Sequence, residues 1–338
     1  MIDATYSCSA LKDQFGRTAN YLRLSVTDRC DLRCTYCMAE NMTFLPRKDV
    51  LSLEELYRLS TVFINHGVRK IRLTGGEPLV RKNVMSLFES LSRHLENGEL
   101  DELTLTTNGS LLSRYARGLA DCGVKRVNVS LDTLDAERYR TITRWGKIDR
   151  VFEGLDAAQD AGLKVKLNAV AQKGQFEHEL DDLIRFAHGR NMDLTLIEEM
   201  PLGGSASSRS NSFLSLSDLR QRLEFQWTLE PLGETTGGPA KYVRLRETGG
   251  KIGFITPMSC DFCSDCNRIR LSCTGQLYTC MGQEGGLSLR DALRQSDGNE
   301  TVAQLIRKKV FEKPRGHEFH IGEHDVNGIT RSMSTLGG

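Results

Sequence analysis

The 338-residue sequence carries a formal net charge of only +1. It therefore has no global field with which to gather nucleic acid or an anionic membrane, and any polyanion must be met by a local pocket. No apolar run approaches the ~18 residues needed to span a bilayer, and the opening Met1-Ile2-Asp3-Ala4-Thr5 has neither a basic n-region nor an apolar h-region. These absences predict a cytoplasmic protein with no membrane and no nucleic-acid partner. Low-complexity segments and internal repeats are missing as well, which argues against a solenoid or a tethered array. Cysteine is sparse: ten among 338 residues is far below the density of a disulfide scaffold. Six of the ten nevertheless fall into two tight groups, which in a reducing compartment reads as metal ligation. Cys8, Cys122, Cys260 and Cys273 are left over as ordinary thiols.

The first group is Cys30-Asp31-Leu32-Arg33-Cys34-Thr35-Tyr36-Cys37, directly after the strand-like run Tyr21-Leu22-Arg23-Leu24-Ser25-Val26-Thr27. Three thiolates on one loop can hold three irons of a 4Fe-4S cluster and leave the fourth iron without a protein ligand. A cluster meant only to carry electrons would use four, so the open iron asks for an exchangeable ligand. Zinc is the competing occupant, although zinc ribbons usually join two Cys-x2-Cys pairs. A zinc-stabilised binding protein without catalysis is the alternative from another functional class.

With 39% apolar residues the chain can bury a full core. After a polar leader over residues 1–20, strand-like and helix-like segments alternate. Helices are predicted after the cap Ser52 and near 82–94, 111–121, 148–161 and 177–189. Strands are predicted at Arg23-Leu24-Ser25-Val26, Lys70-Ile71-Arg72-Leu73-Thr74, Leu103-Thr104-Leu105-Thr106, Arg126-Val127-Asn128-Val129-Ser130, Lys164-Val165-Lys166-Leu167-Asn168 and Leu194-Thr195-Leu196-Ile197. Six strand-helix units imply a parallel sheet with right-handed crossovers. In five of the strands one parity is aliphatic and the other polar, for example Leu22, Leu24, Val26 against Arg23, Ser25, Thr27. A doubly wound sheet, covered on both faces, would read as continuously apolar. The pattern predicts an α/β fold: an incomplete, open (β/α)6 TIM-like barrel with a polar lumen, its site at the C-terminal ends of the strands. A sheet with one solvent-exposed face is the other reading of the same alternation.

Beyond Met200-Pro201-Leu202-Gly203-Gly204 the composition shifts, which places a boundary near 202, between a barrel domain (1–202) and a C-terminal region (203–338). That region is expected to carry a short helix near 217–224, a hairpin around Gly249-Gly250, a second cluster, and the closure of the barrel. The second cysteine group is Cys263-Ser264-Asp265-Cys266 with Cys280. Three thiolates again allow a cluster with an open iron, or zinc completed by Cys260 or Cys273. Arg268 and Arg270 follow in Asn267-Arg268-Ile269-Arg270. With the inward Arg23, Arg72 and Lys166 they predict a cationic pocket for a compact polyanion such as a nucleoside triphosphate.

The Cys30 motif with Gly75-Gly76-Glu77-Pro78 resembles the radical S-adenosylmethionine superfamily. Within it the sequence resembles molybdenum cofactor biosynthesis protein A, the GTP 3′,8-cyclase family, from about Tyr21 to Gly338. The carriers are Leu22 to Cys30, Arg72-Leu73-Thr74-Gly75-Gly76-Glu77-Pro78, Thr106-Thr107-Asn108-Gly109, Asn128-Val129-Ser130-Leu131-Asp132, Phe262 to Arg270 and the closing Met333-Ser334-Thr335-Leu336-Gly337-Gly338. The resemblance implies a lyase with two 4Fe-4S clusters, on Cys30, Cys34, Cys37 and on Cys263, Cys266, Cys280. It implies S-adenosylmethionine contacts at Tyr36, Gly76, Ser130 and Met200, and GTP contacts at Arg23, Arg72, Thr106, Lys166, Arg268, Ile269 and Arg270. Arg268, Arg270, Gly337 and Gly338 are implied as the catalytic set, the two glycines threading the site without side chains. The reaction that the resemblance implies is one in which a radical made at the first cluster takes hydrogen from C3′ of GTP and the carbon radical attacks C8. The implied partners are an electron donor of flavodoxin or ferredoxin type, a downstream cyclic pyranopterin monophosphate synthase, and a second copy in a homodimer. Thr195 stands where many relatives have a basic residue. Another two-cluster radical enzyme, such as a maturase acting on a peptide side chain, is the runner-up.

Overall fold

The computed structural model describes residues 10–174, 176–200, 212–233, 237–259, 263–295, 298–317 and 333–336. Six parallel strands run side by side in chain order: β1 (Tyr21–Ser25), β2 (Lys70–Thr74), β3 (Glu102–Thr107), β4 (Arg126–Ser130), β5 (Lys164–Ala171) and β6 (Asp193–Glu198). Between them come α1 (Leu53–Asn65), α2 (Val84–Glu96), α3 (Leu112–Asp121), α4 (Ala136–Thr143), α5 (Ile148–Asp160) and α6 (Phe176–Gly189). Ser52 opens α1 with a full capping box, accepting from Glu55 N while the Glu55 carboxylate accepts from Ser52 N.

Register makes the two faces. Leu24 lies beside Leu73 and Leu271, and Leu73 beside Leu105; this parity is buried against Phe63, Phe88, Leu119 and Leu155 of the covering helices. Arg23 lies between Arg72 and Arg270 on the opposite face. The helices cover only one face, as the alternation predicted, and the polar parity is left lining a cavity.

Residues after the boundary extend the sheet at both edges. Beyond α7 (Leu216–Leu223) come β7 (Leu229–Pro231), β8 (Lys241–Leu245), β9 (Lys251–Ile255), β10 (Arg268–Leu271), β11 (Gln276–Tyr278) and β12 (Leu287–Ser288). β9 joins β6 and β10 joins β1, each in parallel, giving the order β12-β11-β10-β1-β2-β3-β4-β5-β6-β9-β8-β7. The sheet is open, its two outermost strands unpaired with each other, and the C-terminal region builds the barrel by adding one parallel strand to each side. The expected hairpin is β8 and β9. Then follow α8 (Arg290–Gln295), α9 (Glu300–Phe311) and α10 (Met333–Leu336). Among the described residues no helix is long and apolar enough to cross a membrane.

The leader is not structureless from residue 10 onward. Leu11 is buried, Lys12 bridges Thr18, and the Asp13 carboxylate accepts from Phe15 N, Arg17 N and the Arg17 guanidinium. A loop held by one buried ion pair has no periodicity for a sequence reading to detect. The connection expected over 203–208 lies outside the described residues.

Candidate functional site

The lumen is one cavity with roughly 1810 Å³ of space between atoms, its mouth included. Cys30, Cys34 and Cys37 line it at the C-terminal end of β1. Their loop is shaped by backbone bonds: Cys37 N and Met38 N both donate to Cys34 O at 2.9 Å. Thr35 N and Arg33 N donate to Ile142 O and Thr143 O at the end of α4. No sequence periodicity flagged α4, yet it braces the cysteine loop. Burial pushes the Cys30 and Cys34 thiols up, so iron must displace their protons on binding.

A carboxylate chain ties this loop to its neighbours. Glu77, fully buried, accepts from Leu79 N, Asn108 N and Thr107 Oγ1 at 3.0, 2.7 and 2.9 Å. Burial raises its carboxyl to about 7 against the pull of those donors. Asn108 Nδ2 and Ser110 Oγ then donate to Asp31 between the cysteines. Gly75 and Gly76 are glycines because the loop lies on them: a Cβ on Gly76 would stand 2.3 Å from Arg29 O, and one on Gly75 2.4 Å from Thr27 O. Tyr36 donates its hydroxyl to Asp132 at 2.7 Å, and the other Asp132 oxygen accepts from Val170 N. Tyr36, Gly76, Ser130 and Met200 all line the cavity at this end.

Deeper lie the cations. Arg23, Arg72, Lys166, Arg268 and Arg270 line the same cavity, with Thr106. Burial first, then the like charges of Arg72 and Arg268, bring Arg23 down to about 10 although Tyr21 opposes them; burial pushes Arg270 down as well. Lys166, which donates to Tyr242 OH at 2.7 Å, is pushed well below its ordinary range by burial and by Arg72, Arg126 and Lys70. Arg23 Nε, Arg72 Nε and Thr106 Oγ1 are buried with no hydrogen-bond partner among the described residues. Desolvated cations crowded around an open volume fit an anionic ligand. The lining Tyr21, over which Lys70 and Arg72 stack, was not anticipated.

One expected contact is placed elsewhere. Ile269 is 1% exposed in the helix-covered core, because strand alternation turns Arg268 and Arg270 inward and Ile269 outward. Thr195 is buried within the sheet between Asn168 and Gly253 and is not part of the lining.

The second cysteine group lies at the opposite end. Cys266 precedes β10, and because β11 runs antiparallel the chain returns Thr279 and Cys280 to the start of β10. β1 is five residues long, about 16 Å at the usual rise per residue, so the groups stand at the two ends of the barrel. Burial alone would raise the Cys266 thiol, but Arg268 and Lys313 beside it outweigh burial and bring it down to about 6. Cys273 follows the far end of β10, fully buried, and cannot complete a site with Cys266. Cys260, Gly337 and Gly338 lie outside the described residues. Among the described residues no three His, Cys, Asp or Glu side chains are gathered as around a single ion; a 4Fe-4S cluster asks for less, since each thiolate takes its own iron.

Residues 24–187 match the family model described as the Radical SAM superfamily, and residues 192–319 match Molybdenum Cofactor Synthesis C. A GTP 3′,8-cyclase of Mesorhizobium japonicum is 62% identical over 327 residues, 96% of this chain and 99% of that protein. One from Agrobacterium fabrum is 59% identical over 99% of this chain and 96% of its own length. In fold, the structure of Streptococcus suis SuiB bound to S-adenosylmethionine covers 94% of this chain and 78% of its own, with a TM-score of 0.62 at 15% identity. An open barrel with three thiols at its mouth, together with relatives of this identity over nearly the whole length, shows that the chain belongs to the GTP 3′,8-cyclase family of radical S-adenosylmethionine enzymes.

Proposed function

We propose that this chain converts GTP to (8S)-3′,8-cyclo-7,8-dihydroguanosine 5′-triphosphate in molybdenum cofactor biosynthesis. The observation that carries the reading is the row of buried cations Arg270, Arg23 and Arg72 set between two three-cysteine groups. Cys30, Cys34 and Cys37 would hold one 4Fe-4S cluster, and Cys263, Cys266 and Cys280 a second. When bound, the first cluster supplies an electron that releases a 5′-deoxyadenosyl radical from S-adenosylmethionine.

The chain's own part is position. Gly76, Ser130, Met200 and the Tyr36 segment hold S-adenosylmethionine against the first loop. Arg23, Arg72, Lys166, Arg268 and Arg270, with Thr106, hold the triphosphate deeper in, through charge-assisted bonds that replace water around the phosphates. The ribose is thereby left between the two ends with one C–H bond within reach of the radical, and bound ligands displace water from around it. Arg268 and Arg270 with the Gly337-Gly338 tail complete the catalytic set, and any contact from Ile269 is made by its backbone. Residues 1–202 form the barrel unit and 203–338 the substrate unit. The partners are a flavodoxin- or ferredoxin-type electron donor and cyclic pyranopterin monophosphate synthase downstream, in the cytoplasm, with a homodimer as the assembly.

The test is one anaerobic incubation of iron- and sulfide-reconstituted protein with S-adenosylmethionine, a strong reductant and GTP. The expected result is 5′-deoxyadenosine and a cyclised guanine nucleotide in comparable amounts. 5′-Deoxyadenosine with GTP left intact would reassign the deeper site to another substrate.

A further inference from the structure

Residues 313–316, just after α9, surround the second cysteine group, meeting Cys266, Thr279 beside Cys280, and Cys263. Lys313 is 2% exposed. Its ammonium donates to the carbonyls of Arg268 and Thr279 at 2.7 and 2.6 Å and reaches Cys266 Sγ at 3.4 Å. Arg268 stands two residues after Cys266, and Thr279 immediately before Cys280. One side chain therefore bridges the two stretches that carry two of the thiols. The next residues reach the third: Arg17 donates to the carbonyls of Pro314 and Arg315 and, through Nη1, to Cys263 O at 2.6 Å. A Cβ on Gly316 would lie 3.6 Å from Cys263 Sγ.

Packing does not explain a lysine here. Among the described residues no carboxylate pairs with Lys313; its neighbours are two carbonyls and a sulfur. A buried ammonium without a counter-charge is strongly unfavourable. The anions available to it are the thiolates of the cysteine group, the form in which cysteine binds metal.

We propose that Lys313 is a positioning residue of the second cysteine group, holding Cys266 and Cys280 at cluster spacing and raising the reduction potential of the cluster they bind. This rests on the reading of Cys263, Cys266 and Cys280 as cluster ligands. The sign follows from charge: a cation hydrogen-bonded to a ligand sulfur favours the reduced, more negative cluster. Loss of the cation lowers the potential.

The test uses full-length protein reconstituted without oxygen, in a Cys30→Ala, Cys34→Ala, Cys37→Ala background so that only the second cluster is titrated, followed by electron paramagnetic resonance against applied potential. If that background binds no iron, the cluster reading itself fails, before Lys313 is touched. Lys313→Gln keeps a donor for the carbonyls and removes the charge; it is expected to shift the midpoint to lower potential or to lose the cluster. Lys313→Arg is expected to restore most of the wild-type value. An unchanged iron content and midpoint in Lys313→Gln overturns the assignment. So does a Lys313→Gln protein that, with all ten cysteines present, loses the first cluster's iron too or no longer unfolds cooperatively, because Lys313 would then serve the whole fold.

Discussion

Gly76 sits where the chain has no spare volume, its missing Cβ pressed against the backbone of Asp28 and Arg29. Gly76→Ala is expected to push the cysteine loop away and to lower stability by about 1–3 kcal/mol, as overpacking does. Thermal unfolding would read that loss, and iron content would fall with it. Lys166 gives a pH prediction. Burial holds its pKa below that of a free lysine, and a bound triphosphate raises it again, so at a pH between the free and bound values GTP binding takes up a proton. Affinity is therefore highest at low pH and declines as pH rises through the depressed value, by at most about tenfold per unit for one proton. Calorimetry in buffers of different ionisation enthalpy measures the uptake, and Lys166→Met should abolish the dependence. Arg268→Ala or Arg270→Ala should weaken GTP binding by about 1–3 kcal/mol. Most of these residues were legible because type, spacing and strand parity agreed. Lys313 and Arg17 were not, since most of what they touch is backbone carbonyl, and carbonyls leave no trace in side-chain chemistry.

At the level of elements, the β1 to β6 strands and the helices α1, α2, α3, α5 and α6 follow from periodicity, and the Ser52 box fixes where α1 begins. Ser52→Ala should cost about 1 kcal/mol, measured by denaturant titration. α4 escaped because it is short and polar, burying only Tyr139 and Thr143; its importance lies in the carbonyls it offers to the cysteine loop. The placement of β9 beside β6 and β10 beside β1 is likewise invisible locally. Those pairings join residues far apart in sequence, and no window of neighbouring residues encodes them.

Over the whole molecule the two cysteine groups stand at opposite ends of the strands, so their losses should separate. Cys263→Ala is expected to abolish GTP conversion and leave some cleavage of S-adenosylmethionine, read by chromatography of both products; undiminished GTP conversion would remove the second group from the mechanism. The doubly extended sheet also bears on how the protein is made. Leu22 waits for Ile269, so while the chain emerges from the ribosome β1 offers a bare edge until β10 (Arg268–Leu271) of the 338 residues has been synthesised, and β6 waits for β9. Bare edges invite pairing with other chains. Nascent chains are therefore open to mispairing until β9 and β10 are made, and a fragment ending near residue 202 is expected to precipitate, since both of its edges would stay open for good.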